Sequence, residues 1–186
     1  MKYIGIILLS VLLFSTCRKE IPDGWIDTDR LLKRQAKDWL SVGGNFMQQH
    51  YSPLDKINRA NVSELGFAWE YDASNTIGRV PKGLEATPIV VDGIMITSGA
   101  WGFVYALDAK TGRELWKYNP KVDASYLRRA CCDAVNRGVA VWMGSVYVGT
   151  LDGYLVCLDV KTGAERWRKD TFTDRTKSYT ITSPPQ

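Results

Sequence analysis

Histidine is almost missing from this chain: of 186 residues only His50 carries an imidazole. It has no second histidine, and no cysteine or acid at ligand spacing, so neither a metal centre nor a histidine general base is expected there. His50 reads as a loop residue. Runs of like charge are missing too. Lys and Arg are scattered and the formal net charge is only +4, so no nucleic-acid partner is expected. No apolar run reaches the roughly 20 residues that a membrane-spanning helix needs. What the chain has in quantity is glycine and tryptophan, sixteen and seven residues. Together they point to short strands, tight turns and aromatic packing between them.

The first residues read as an address rather than as fold. Met1-Lys2 precedes an apolar run from Tyr3 to Phe14, and Ser15-Thr16-Cys17 follows. A positive start, a short apolar core and small residues before a cut describe a secretory signal. Cys17, directly after the small residues, resembles the lipidated cysteine of a bacterial lipoprotein signal, which makes 1–17 the signal. An ordinary cleaved signal and an uncleaved anchor are the alternatives. All three place the mature chain outside the cytoplasm, on the periplasmic side of a bacterial envelope, where disulfides form. With Cys17 lipidated, Cys157 has no partner and is expected to be a buried apolar position.

Residues 18–37 read as a polar tether followed by a short helix from Asp27 to Lys37, capped by Asp27 or Thr28. Asn61 is expected to cap a helical turn, and Leu65–Tyr71 alternates as a strand. From residue 88 onward the chain repeats. Val91–Gly99, Gly102–Asp108, a Lys110-Thr111-Gly112 turn and Arg113–Trp116 are followed by Met143–Gly149, Gly153–Asp159, Lys161-Thr162-Gly163 and Ala164–Trp167. Asp108 and Asp159, Gly112 and Gly163, and Trp116 and Trp167 are each 51 residues apart. A strand–turn–strand unit at such a period means a propeller-type array of small antiparallel sheets. In each Asp-x-x-Thr-Gly the Asp and Thr side chains can bond the turn backbone, and Gly supplies the positive φ. The fold expected for 38–186 is all-β: four-stranded antiparallel blades of a propeller that two units cannot close, and therefore part of a longer protein.

Between the two units lies Cys131-Cys132-Asp133-Ala134-Val135-Asn136-Arg137-Gly138. Adjacent Cα atoms are about 3.8 Å apart, whereas relaxed disulfides prefer about 5.5–6 Å, so a bond between these two cysteines would close a strained ring. Two reduced, buried cysteines beside a surface arginine are the plainer alternative. Arg137 offers a flat donor fork suited to a carboxylate.

The two Asp-Ala/Val-Lys-Thr-Gly…Trp segments resemble the tryptophan-docking repeat of quinoprotein dehydrogenases. The Cys131-Cys132-Asp133…Asn136-Arg137-Gly138 string resembles the vicinal-cysteine motif of alcohol and methanol dehydrogenases dependent on pyrroloquinoline quinone (PQQ). Asp38-Trp39 with Gly43-Gly44, Ser52-Pro53-Leu54 and Gly83–Pro88 also fit that family, from about residue 28 to the end of the chain. The resemblance implies an eight-bladed propeller with PQQ near its axis and a Cys131–Cys132 disulfide against the quinone. It implies Glu85 and Arg137 at the cofactor's polar edge, and Thr182 as a further contact. The implied reaction is oxidation of a primary alcohol to an aldehyde. A calcium or lanthanide ion acts as Lewis acid, and electrons pass on to a cytochrome c or a quinone. The family's metal ligands and catalytic aspartate lie beyond the matched region, so no catalytic or metal residue is assigned here, and turnover is not expected from these residues alone. A non-catalytic alternative is similar to the propeller lipoprotein that serves as an outer-membrane assembly scaffold. A scaffold needs the Asp-x-x-Thr-Gly turns and Trp but has no use for the paired cysteines with Arg137 and Glu85.

Overall fold

The structure is a computed structural model that describes residues 23–74, 83–130 and 133–186. Its framework is two four-stranded antiparallel sheets. The first has strands β1 (Ile89–Val91), β2 (Ile94–Ser98), β3 (Val104–Asp108) and β4 (Glu114–Tyr118) in that order. The second repeats it with β5 (Ala140–Trp142), β6 (Ser145–Gly149), β7 (Tyr154–Asp159) and β8 (Glu165–Asp170). The 51-residue period survives in detail. The ladder slips by one residue at Ala106/Leu107 and again at Cys157/Leu158.

β3 shows why these residues make a blade. Side chains alternate across a strand. Val104 and Ala106 enter the core shared with the second sheet, while Tyr105 and Leu107 enter a second cluster on the opposite face with Trp101 and Phe103. Both faces of β3 are therefore buried. The shared core takes Ile89, Val91 and Ile96 from the first sheet and Val141, Val146, Val148 and Val156 from the second. Cys157 is free and buried, as an apolar position should be.

The turns behave as their chemistry dictates. Asp108 Oδ1 accepts from the backbone N–H of Lys110 at 3.1 Å and of Thr111 at 2.8 Å, and from the Thr111 hydroxyl at 2.8 Å. Asp159 repeats all three bonds with Lys161 and Thr162. Gly163, at φ 69°, closes its turn where no side chain fits: an added Cβ would lie 2.5 Å from Cε3 of Trp116. That indole also donates from Nε1 to the Val160 carbonyl at 2.9 Å. Trp116 thus docks on the glycine turn of the following unit. Trp69 does the same on Gly112.

Three local expectations need correction. The helix α1 covers only Thr28–Leu32, with Asp27 as its cap. It ends at the Lys33 cap, after which the chain turns so that Trp39 bridges Val90 on the first sheet, and Arg30 ties the helix there through the Trp25 carbonyl, Asp38 and Asp92. Residues 65–71 are extended but form no strand, since no ladder partner faces them among the described residues. Trp69, Tyr71 and Ala73 instead pack side-on against the second cluster. Asn61 precedes a 3₁₀ turn at Val62–Glu64 but does not cap it, because its side chain is engaged by the Asn58 N–H and the Lys56 carbonyl. Strands β1 and β5 are separate from β2 and β6, each pair joined by a tight turn at Asp92-Gly93 or Met143-Gly144. No helix among the described residues is long and apolar enough to cross a membrane.

Candidate functional site

The site is built on the connection between the two sheets. Residues 133–139 pass between β2 and β6 and are pinned along their length. The Trp101 N–H donates to the Ala134 carbonyl at 2.7 Å, and Asp133 Oδ1 accepts from the Ala134 N–H at 2.8 Å. The Arg137 N–H donates to the Thr182 carbonyl at 2.9 Å. Gly138 adopts φ 136°, a conformation that L side chains rarely take, and its backbone runs in contact with Thr87, whose carbonyl oxygen would lie at an ordinary 3.4 Å from an added Cβ. This contact brings the 83–88 segment against Arg137.

Three residues far apart in sequence meet at that point. Arg137 Nη2 lies 3.0 Å from Glu85 Oε2. Its Nη1 donates to the Thr182 hydroxyl at 2.6 Å. The Arg137 and Glu85 side chains are 42% and 43% exposed, so the pair faces solvent and is worth little as a stabilising ion pair. Its value is geometric: two arms of the guanidinium are fixed, and its remaining N–H groups keep a defined direction.

The structure therefore brings Glu85, Arg137 and Thr182 together, and it is the Thr182 hydroxyl that Arg137 holds. It also revises their relation. The resemblance implies both Glu85 and Arg137 at a cofactor's polar edge and leaves their mutual contact open; here they face each other, so a second carboxylate arriving at Arg137 would share a cation already paired. Cys131 and Cys132 lie outside the described residues, as does Cys17. His50 is exposed in a loop at φ 51°. No group of three or more His, Cys, Asp or Glu among the described residues could hold a metal ion. A cleft of about 630 Å³ lies nearby, lined by residues such as Leu31, Leu40, Val141 and Trp142, and takes no lining from Glu85, Arg137 or Thr182. The sequence marks Asn136 as a position of the Cys131-Cys132-Asp133…Asn136-Arg137-Gly138 string but assigns it no role of its own.

Two repeated blades with docked tryptophans, and a carboxylate, guanidinium and hydroxyl gathered on the connection between them, define part of a β-propeller. The chain belongs to the PQQ family described as the glucose/ethanol/alcohol dehydrogenase β-propeller domain, whose model matches residues 39–176. Over 182 residues it is 47% identical to the quinohemoprotein alcohol dehydrogenase ADH-IIG of Pseudomonas putida, covering 97% of this chain and 24% of that protein. It is 46% identical to the 1-butanol dehydrogenase (cytochrome c) of Thauera butanivorans, covering 80% of this chain and 21% of that protein. The solved structure of the Pseudomonas putida ADHIIG enzyme superposes with a TM-score of 0.82 at 48% identity, covering 90% of this chain and 24% of that one. A europium-containing methanol dehydrogenase superposes at 0.73 and 36% identity, with 84% and 27% covered. The chain thus spans about a quarter of the length of the relatives it matches.

Proposed function

We propose that this chain is the N-terminal portion of a PQQ-dependent dehydrogenase that oxidises a primary alcohol to an aldehyde, and that it supplies one wall of the cofactor site. The observation that carries this reading is Arg137, held between Glu85 at 3.0 Å and Thr182 at 2.6 Å with N–H groups to spare. PQQ carries carboxylates, and a pre-set guanidinium fork is a natural partner for one of them. The donor set fits the polar edge of such a group. Arg137 supplies charged N–H donors. Thr182, whose oxygen accepts from Arg137, keeps its own O–H free to donate. Glu85 offsets the arginine's charge and offers a second oxygen as acceptor. When bound, PQQ supplies the two-electron acceptor for the alcohol's oxidation. The residues here bind and orient; the proton-accepting group and the ligands of a calcium or lanthanide ion are not among those assigned.

Cys131 and Cys132 are proposed to form a vicinal disulfide against the quinone. Electrons would leave toward a cytochrome c or a quinone, the acceptors named for relatives of this chain. The mature protein is proposed to face the periplasm, anchored through a lipid on Cys17.

The test is PQQ titration of the cofactor-free full-length protein with calcium or a lanthanide, followed by absorbance and tryptophan quenching, before and after thiol reduction. Stoichiometric binding that Arg137→Ala weakens by about 10- to 100-fold is expected when a charge-paired group is truncated. A folded protein that binds no PQQ would overturn the reading.

A further inference from the structure

We infer that Asn136 is a positioning residue for Arg137, acting from behind the site without touching the ligand; the inference rests on reading Arg137 as the cofactor's anchor. Asn136 is 3% exposed. Its Oδ1 accepts from the Ser98 hydroxyl at 2.7 Å and from the Gly138 N–H at 3.1 Å, and its Nδ2 donates to the Gly149 carbonyl at 2.8 Å. Ser98 ends β2 and Gly149 ends β6, the same place in the two blades. One carboxamide therefore clasps the two blades at equivalent points, and Arg137 is the next residue along.

The chemistry is specific to asparagine. The position needs an acceptor for two donors and a donor for one carbonyl on a single short, planar head. Aspartate would set a second acceptor against the Gly149 carbonyl, and leucine would leave all three partners unpaired in the interior. Gly149 serves a second purpose. A Cβ there would lie 2.2 Å from Ile181 Cγ2, so Ile181 packs directly on this backbone and sets the register of Thr182. The Thr182 carbonyl in turn accepts from the Arg137 N–H at 2.9 Å. Asn136, Gly149, Ile181-Thr182 and Arg137 thus form a closed circuit, and the direction of the guanidinium is set by the clasp at its back.

Two measurements on the full-length, cofactor-free protein test this. Hydrogen–deuterium exchange over residues 133–139 reads the clasp, and PQQ titration reads its consequence. Asn136→Ala is expected to speed exchange in that peptide and to weaken PQQ binding about tenfold, the scale of leaving buried hydrogen-bonding groups unpaired. Ser98→Ala removes one bond of three and is expected to do the same more mildly, which keeps the test open if Asn136→Ala does not fold. In an Arg137→Ala background, Asn136→Ala is expected to cost no further affinity, because it acts only through that arginine. Additive losses, or unchanged exchange and affinity in either variant, would overturn the role. A wild-type protein that binds no PQQ would remove the cofactor reading instead, and exchange alone would then decide whether the clasp holds the segment.

Discussion

Gly163→Ala tests the docking of tryptophan on the turn and has an internal control. Gly163 sits at φ 69°, where an L side chain is strained by about 1–2 kcal/mol. The new methyl would also stand 2.5 Å from Cε3 and 2.6 Å from Cδ2 of Trp116. That ring cannot retreat cheaply, being buried in the core between the sheets and tied to the Val160 carbonyl at 2.9 Å. Forcing a methyl into such packing costs about 1–3 kcal/mol more. The total, about 2–5 kcal/mol, is a large part of the roughly 5–15 kcal/mol that holds a typical protein folded. Gly93→Ala is the control. It has φ 78° and nothing within 4 Å of its added Cβ, so it carries the backbone cost alone. Urea unfolding of the full-length protein, followed by tryptophan fluorescence and near-ultraviolet circular dichroism, should place Gly163→Ala below Gly93→Ala by about 1 kcal/mol or more. Equal midpoints for the two variants would refute the claim that the indole is seated against the turn.

Three further outcomes are expected. Arg30→Ala leaves Asp38, whose side chain is 1% exposed, without its cationic partner; a loss of about 3 kcal/mol is expected, recovered in part by Asp38→Asn in the same background while the lost bonds to Asp92 and the Trp25 carbonyl stay lost, and a thermal scan showing no recovery would argue against it. Asp159 is held down at a pKa of about 2, first by the hydrogen bond from Arg166 and then by Thr162. Its folded pKa is depressed, so its contribution is complete above the ordinary value of 3.8 and is lost as pH falls toward about 2; the stability gap between wild type and Asp159→Asn should close over that window. Tyr118 donates to Glu165 Oε2 at 2.5 Å across the blades, and burial and that bond push its phenol up to about 12. Tyr118→Phe should cost about 1.5 kcal/mol, and a double-mutant cycle with Glu165→Gln should show that the two losses share one bond.

What was legible in the sequence was what short-range chemistry determines. Asp108 and Asp159 do in three dimensions what their spacing to Thr and Gly announced. The site was partly legible for a different reason: Arg137, Glu85 and Thr182 came from a family pattern, and the fold then gathered them around one guanidinium. What escaped was set by distant partners. Residues 65–71 alternate like a strand, but a strand needs a ladder, and the segment offers side chains to a neighbouring blade instead. Tyr71 donates to Glu114 as Tyr118 does to Glu165, a latch two residues past each tryptophan that a comparison of the two repeats alone hides, because Lys169 occupies the corresponding place after Trp167. Asn136 was visible as a motif position, but its role was not, since nothing in a linear string shows that Ser98 and Gly149 close on it.

The seating of each indole on the next unit's glycine gives the array a direction. Trp69 precedes Gly112 and Trp116 precedes Gly163, so in both seatings among the described residues the side chain received is older than the turn that receives it. As a nascent chain leaves the ribosome amino end first, each of these two turns emerges to find its tryptophan already waiting, and blades can be added in the order they are made. Trp167, 44% exposed, stands at the leading end of that series among the described residues.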